Sequence, residues 1–457
     1  MELGGKNVLI VGFERTGAAM ARFLVDRGAR VRVTDKKPAG AFGDQLASFA
    51  ASGVAFEMGG HRRETFLAAD LIVPSPGVPP IPEILAARAK GVPVLAEIEL
   101  AYLFLRGRIV AITGSNGKST TTTLVHRILR DAGRRAHRAG NIGTPLVSFV
   151  DRSRDDDIYV TEISSFQLEY TERFTPALAA LLNVSENHID WHGTFDRYFA
   201  AKAKLIRRLG PQGLAVLNRD DARVWGLRAE TRARVYGFSR RRRPARGAFL
   251  DQGWVVVRDG AAARIAPAGR IALPGAHNLE NVLAAAMIGR LLDVPPASIG
   301  RTILAFRGLE HRLEDVLTVR GVRFVNDSKA TTVAATLKAL DSFDRPVVLV
   351  LGGRGKGGDF SPLRAAVRKR VRSVVLIGEA ADKIEKVLGG AAPVVRAASF
   401  REVVRTAFGL ARRGDVVLLA PACTSWDMFR NFEERGRTFK REVRLLAARL
   451  RRKGAGR

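Results

Sequence analysis

Cysteine is nearly absent from this 457-residue chain. Cys423 stands alone, which rules out an intrachain disulfide framework and fits a reducing compartment. Long apolar runs are missing as well. The longest, PVVLVLGG near 346 and VVLLAPA near 416, are strand-sized, well short of the roughly 18 residues that a membrane span needs. No charged-then-apolar leader precedes the first strand-like segment. Fixed-period repeats and low-complexity segments are also lacking. A cytoplasmic protein without a membrane span is expected.

Acidic residues are outnumbered. Against 75 Lys and Arg there are 45 Asp and Glu, a formal charge of +30. A charge of this size would draw nucleic acid or an anionic surface. The basic residues are nevertheless scattered, dense only at 240–243, 367–372 and near 449, and they are not interleaved with aromatics as a nucleic-acid groove requires. A nucleic-acid-binding ATPase is therefore the weaker reading, and no specific nucleic-acid partner is expected.

What the chain does carry is a near-continuous alternation of apolar strand and amphipathic helix, the signature of α/β folds with mainly parallel sheets. Three blocks separate. The first holds NVLIVG at 7–12, a helix over 18–27, strands ending at Asp35 and in LIVPSPG (71–77), and a last strand, VPVL, near 94. The second opens with the strand RIVAIT (108–113). It continues through IYVTE, ending at Glu162, and ALAALLN, ending at Asn183. Helices follow over 195–209 and 278–292, with a hairpin at FLDQGWVVVRDG between them. The third begins near His311, with strands VRFVND, PVVLVLGG, SVVLIG and DVVLLAPA.

The second block begins its chemistry at once. Gly114-Ser115-Asn116-Gly117-Lys118-Ser119 leaves a buried strand, turns through two glycines and enters a helix at Thr120. Glycines let backbone N–H groups close on phosphate oxygens. Lys118 brings charge to the β- and γ-phosphates, and the Ser119 hydroxyl is placed for Mg²⁺. The general phosphate-loop motif has Gly five residues before Gly117, where this chain has Ile112. Glu162, at a strand's carboxyl end, is the best further metal ligand. His188 is a second candidate, for metal or for substrate.

VGFERTG (11–17), followed by Asp35, looks at first like a dinucleotide fingerprint. The middle glycine of that fingerprint is replaced by Glu14, whose bulk and charge oppose a pyrophosphate there. A Rossmann-like domain that holds a nucleotide differently is expected, with Asp35, Lys36 and Lys37 near it. Hydride transfer is not expected.

Taken together, TGSNGKSTTT, AGNIGTPL, TEISSFQLE, LLNVSENHID, YFAAKAKLI, PGAHNLENVLAA, GLEHRLE, NDSKATT and GGRGKGGDF resemble the Mur ligases over essentially the whole chain. The two ends, VGFERTG with SPG and PACTSWDMFRNFEERG, are most similar to the branch that adds D-glutamate. No Asn-Pro-Arg signature of a diaminopimelate or lysine adder is present. The first block also argues against a folylpolyglutamate synthase, which starts at the ATPase domain.

The resemblance implies three domains: a Rossmann-like UDP domain at 1–97, a central P-loop ATPase-like domain with a mostly parallel sheet at 98–308, and a C-terminal Rossmann-like amino-acid domain at 309–457. It implies ATP-dependent amide formation from UDP-N-acetylmuramoyl-L-alanine and D-glutamate, with two Mg²⁺ sites that also accept Mn²⁺, in a monomer. Lys118, Glu162, His188 and Lys202 would be catalytic. Ser119, Glu162, His188 and Lys202, the last as a carbamate, would hold metal. Gly114, Ser115, Asn116, Gly117, Lys118, Ser119, Thr120, Asn278, Asn281, Arg312 and Asp327 would bind ATP. Arg15, Thr16, Asp35, Ser75, Gly77 and Asn141 would meet the UDP-sugar, and Lys329, Thr331, Lys356, Ser425 and Phe432 the D-glutamate. Three features depart from the family's pattern: the charged pair Glu14-Arg15, Trp426 beside the D-glutamate positions, and the basic surface.

Overall fold

In a computed structural model of the chain, residues 1–273, 275–355 and 358–455 are described. They form three sheets in two compact units, one of residues 1–272 with 276–306, the other of 273–275 with 307–457.

The first sheet is four parallel strands, β1 (Asn7–Val11), β2 (Arg30–Asp35), β3 (Ala55–Met58) and β4 (Leu71–Pro74), in the order β3-β2-β1-β4. Strand β1 is buried at four successive residues, as a strand covered on both faces must be. VPVL makes no strand of its own. Val94 forms one isolated bridge to Ile72, because the prolyl nitrogen of Pro93 gives no ladder donor and the chain enters the helix Glu97–Phe104 within three residues.

The second sheet has nine strands: β5 (Arg108–Thr113), β6 (Ala136–Gly140), β7 (Ile158–Glu162), β8 (Leu178–Leu181), β9 (Leu214–Asn218), β10 (Arg234–Ser239), β11 (Gly247–Asp251), β12 (Trp254–Asp259) and β13 (Ala261–Pro267). Their order is β13-β12-β11-β10-β9-β8-β5-β7-β6. All neighbours from β6 to β11 are parallel, while β11, β12 and β13 are antiparallel. The expected hairpin is β11–β12, turning on Gln252 and Gly253, both with positive φ.

Two helices pack on this sheet behind the phosphate loop. Lys118–Asp131 buries Leu124, Val125, Ile128 and Leu129, a single stripe at helical spacing. Ala276–Leu291 buries nine consecutive residues from Asn281 to Gly289, so it lies within the core. Gly289 permits the two helices to approach: a Cβ there would lie 2.9 Å from the Ile128 side chain.

The second unit contains β14 (Glu314–Val319), β15 (Val322–Asn326), β16 (Val347–Gly352), β17 (Val371–Ile377), β18 (Val394–Arg396) and β19 (Val416–Leu419). The order β14-β15-β19-β16-β17-β18 is parallel apart from the antiparallel edge strand β14. Among the described residues, no helix is long and apolar enough to cross a membrane.

Candidate active site

Strand β5 places the phosphate loop at the carboxyl edge of the second sheet. Ile112, which stands where the general motif has glycine, is still a strand residue here and pairs with Glu162 and Ala180. The turn begins only at Gly114 (φ 154°) and closes at Gly117 (φ 83°), which ends in the left-handed region and starts the helix Lys118–Asp131. Asn183, just beyond β8, staples the loop. Its backbone oxygen accepts from the Ser115 amide at 2.9 Å, and its side chain exchanges hydrogen bonds with the Asn116 backbone at 2.8 and 3.2 Å. The Lys118 ammonium donates to the carbonyls of Gly114 and Ser115, at 2.9 and 3.1 Å. Ser119 and Thr120 are buried at the helix start.

Beside this loop lie two charged side chains that burial would ordinarily forbid. Glu162, at the end of β7, is 2% exposed. Its Oε1 accepts from the Asn141 amide nitrogen Nδ2 at 2.8 Å, whereas its buried Oε2 has no hydrogen-bond partner. Lys202 is 1% exposed. It sits one turn after Tyr198 on the helix Phe195–Arg207, which Thr194 caps by accepting the Arg197 amide. Its ammonium nitrogen lies 3.3 Å from Thr113 Oγ1 and 4.8 Å from the centre of the Tyr198 ring. Burial, with the nearby Lys118 charge adding to it and Glu162 opposing, pushes the Lys202 amine well below the ordinary lysine range. The orphaned carboxylate oxygen and the desolvated amine are what a site built around a cation, with Lys202 converted to an acid, would show. Among the described residues, no three His, Cys, Asp or Glu side chains converge as a metal cluster, so Glu162 would need Ser119 and a modified Lys202 beside it.

His188 is exposed, in a left-handed conformation (φ 55°), with its ring 4.7 Å from that of Phe166. Asn281 lies against the loop: its Oδ1 accepts from Thr121 at 3.3 Å, and its Nδ2 donates to Asn278 at 3.2 Å. Asn141, expected at the UDP-sugar, donates to Glu162 through its side chain, to the carboxylate, and through its backbone amide, to the carbonyl.

Sequence reasoning did not single out Asn183, Tyr198 or His192. The Tyr198 hydroxyl is 2.8 Å from Ser115 Oγ, and His192 Nε2 is 2.9 Å from Ser165 Oγ. Their one legible signal was position, at a strand's carboxyl end for Asn183 and one helical turn before Lys202 for Tyr198.

At the first sheet, Gly12 and Gly17 meet: a Cβ on Gly17 would lie 2.2 Å from the Gly12 carbonyl oxygen. Ser75 Oγ donates to that same carbonyl at 2.7 Å. The Asp35 carboxylate accepts the amides of Phe13 and Lys37, at 2.8 and 2.9 Å, so it shapes the turn. Glu14 pairs with Lys37 at 2.7 Å. Arg15 is exposed, Thr16 is half-buried, and Gly77 turns with φ 94°.

In the second unit, Asp327 follows β15 and is buried. Burial lifts its carboxyl to about 6, against the opposing pull of the Arg312 charge, the Leu313 amide and the Lys329 charge. The Lys329 ammonium lies 5.7 Å from the Phe432 ring centre, and the Thr331 amide donates to the Lys329 carbonyl. A fully buried Arg435 ties the segments together. It donates to Ser328 Oγ and the Ser328 carbonyl, and to the carbonyls of Cys423 and Thr424, at 2.9 to 3.1 Å. Ser425 is buried next to this anchor, while Trp426 is 64% exposed. Lys356 lies outside the described residues.

Residues 6–96 match the Mur ligase MurD-like N-terminal domain, residues 112–289 the Mur ligase middle domain, and residues 311–423 the Mur ligase glutamate ligase domain. Curated relatives named UDP-N-acetylmuramoylalanine–D-glutamate ligase align over nearly the entire chain. The protein of Acidobacterium capsulatum is 46% identical over 96% of both chains, and that of Koribacter versatilis is 44% identical over 98% of this chain and 99% of its own. The chain belongs to the Mur ligase family. Solved Mur ligases carry the same fold. UDP-N-acetylmuramate-alanine ligase MurC from Thermotoga maritima superposes with a TM-score of 0.57 at 18% identity, covering 96% of this chain and 99% of its own. A pseudomurein peptide ligase type C from Methanothermus fervidus gives 0.56 at 18%, covering 97% of this chain and 100% of its own.

Proposed function

We propose that this Mur ligase joins D-glutamate to UDP-N-acetylmuramoyl-L-alanine at the expense of ATP, in the making of a peptidoglycan precursor. The observation that carries the reading is full-length identity of 39–46% to relatives named for that reaction. The γ-phosphoryl group passes from ATP to the terminal alanine carboxylate, giving an acyl phosphate and ADP. The amine of D-glutamate adds to that carbonyl, and phosphate leaves as the amide forms. A carboxylate is a poor electrophile until one oxygen becomes a good leaving group, so ATP is spent on activation, and catalysis is mostly positioning and charge neutralisation.

The chain's own residues divide the work. Backbone amides from Gly114 to Thr120, with Lys118, cradle the phosphates. Asn278 and Asn281 serve the adenine side, Arg312 a phosphate and Asp327 the ribose. The buried amine of Lys202, whose uncharged form desolvation favours, adds CO₂ and releases a proton to become a carbamate. Ser119, Glu162, His188 and that carbamate would hold Mg²⁺, in two sites that would also take Mn²⁺. When bound, Mg²⁺ neutralises the charge that builds on the transferring phosphoryl oxygens. Lys329, Thr331, Lys356, Ser425 and Phe432 hold D-glutamate, whose two carboxylates suit two cationic side chains. Arg15, Thr16, Ser75, Gly77, Asp35 and Asn141 meet the UDP-sugar. We assign the domains to 1–97, 98–308 and 309–457, and the working protein to a cytoplasmic monomer.

The test is phosphate release from ATP and Mg²⁺ with UDP-N-acetylmuramoyl-L-alanine, comparing D-glutamate with L-glutamate, meso-diaminopimelate and L-lysine. Release that requires the UDP-sugar and D-glutamate together is expected. Release with another amino acid would overturn the assignment of the amino-acid pocket, and no coupled release would overturn the ligase.

A further inference from the structure

Two buried carboxylates on the helix Glu97–Phe104 are occupied by backbone amides of other segments, and the reaction above uses neither. Glu97 is 2% exposed, and its Oε1 accepts the Val147 amide at 2.7 Å. Val147 lies in the first turn of the short helix Leu146–Arg152. It also ends the loop that begins at Asn141.

That loop is tight. The Gly140 amide donates to the Thr144 carbonyl at 3.0 Å, and Gly143 turns with φ 81° where a Cβ would lie 2.6 Å from the Arg138 carbonyl oxygen. Pro145 stiffens the last step into the helix. The loop therefore runs between two buried carboxylates: Glu162 holds its first residue, through Asn141, and Glu97 holds its end. Little slack is left between them.

We infer that Glu97 is a positioning residue of the ligase site: by accepting the Val147 amide it fixes the 141–147 loop, so that Asn141 occupies Glu162 Oε1 and leaves Oε2 to face a cation. This rests on the reading of Glu162 as a metal ligand. Groups that orient a ligating carboxylate typically alter metal affinity by about 10–100-fold when removed. Glu99 is an internal control. It accepts three amides, of Glu172, Arg173 and Phe174, at 2.7 to 3.0 Å, but that turn makes no hydrogen bond to Glu162 or Asn141.

The experiment measures Mn²⁺ affinity by electron paramagnetic resonance, together with melting temperature and coupled turnover, in E97A, E97Q, E99A, N141A and E162A. E97A and N141A are expected to weaken Mn²⁺ about tenfold or more and to lower kcat. E97Q keeps an acceptor oxygen for the Val147 amide and recovers most of the affinity. E99A melts earlier yet holds Mn²⁺ within about twofold. If E97A does not fold, E97D decides: it keeps the carboxyl but is one methylene too short to reach that amide, and a loss of at least about threefold is expected. If E97A, or E97D in its place, binds Mn²⁺ as E99A does, Glu97 only packs and the inference falls. Undiminished Mn²⁺ binding in E162A would instead overturn the reading of Glu162 itself, and the inference with it.

Discussion

A Cβ placed on Gly117 would lie 2.1 Å from Asn281 Oδ1, so the phosphate loop and the helix Ala276–Leu291 are fitted to each other at one glycine. Asn281 cannot simply swing aside, because Thr121 and Asn278 both hold its amide. Gly117 also needs φ 83°, which costs an L-residue about 1–2 kcal/mol. G117A is expected to fold with a lower melting temperature and to bind ATP at least about tenfold more weakly, as a shift of the loop by a fraction of an ångström loses several amide contacts. Calorimetric titration with ATP checks this; unchanged affinity would mean that the loop is not the phosphate cradle.

Lys202 should separate stability from activity. A polar amine buried beside the Lys118 charge is unfavourable for the fold. K202M removes that cost at similar volume, so its melting temperature is expected to equal or exceed the parent's while coupled phosphate release falls by about a hundredfold or more. Intact-mass measurement of the parent under bicarbonate should show one added CO₂ that K202M lacks. A parent that never gains that mass, or an active K202M, would sink the carbamate assignment.

Arg435 has no carboxylate within its hydrogen-bonding set; its guanidinium is satisfied by one hydroxyl and three carbonyls, and burial lowers it to about 10. R435M strands those acceptors. A stability loss of about 2–4 kcal/mol is expected, since hydrogen bonds to a charged group are worth about 1.5–3 kcal/mol each and do not add fully. The KM for D-glutamate should rise in the same variant, with ATP affinity in the isolated binding assay unaffected. A variant that melts earlier but keeps its D-glutamate KM would confine Arg435 to a structural role.

Asp327 sets a pH dependence whose sign follows from burial. Its folded pKa of about 6 lies above the ordinary 3.8, so the folded chain binds the proton more tightly than the unfolded one. That contribution is fully present below 3.8 and is lost as pH rises through 6. D327N removes the titration. Relative to the parent it should gain about 2.4 kcal/mol on going from about pH 4 to about pH 8, read from denaturant melts at both. An equal offset at the two pH values would show that Asp327 ionises normally.

Much of the fold was legible because strand and helix periods are local. The strands of β1, β2, β4, β5, β7, β15, β16, β17 and β19 announce themselves as short apolar runs between turn residues. Strands β6 and β18 do not: AHRAG and VVR are too short or too polar to read without the neighbour each pairs with. The basic clusters at 240–243 and 367–372 prove partly neutralised. Arg240 pairs with Glu280, Arg243 with Asp251, Arg370 with Asp341 and Arg372 with Asp415, and each carboxylate except Asp251 lies 28 residues or more away.

The linear chain determined which side chains end up at strand ends and turns, and therefore the reaction class. Gly114 to Ser119 follows one strand, Glu162 ends another, and Lys202 rides a helix face; each placement needs only nearby residues. The tertiary structure decided what surrounds those groups. The Asp35 carboxylate accepts the amides of Phe13 and Lys37, the Asn141 side chain donates to Glu162, and Lys202 is stripped of water against Thr113 and Tyr198. The reason is physical. Desolvation and hydrogen-bond satisfaction depend on groups brought from elsewhere in the chain, 89 residues away for Lys202 and Thr113, and no local pattern encodes them.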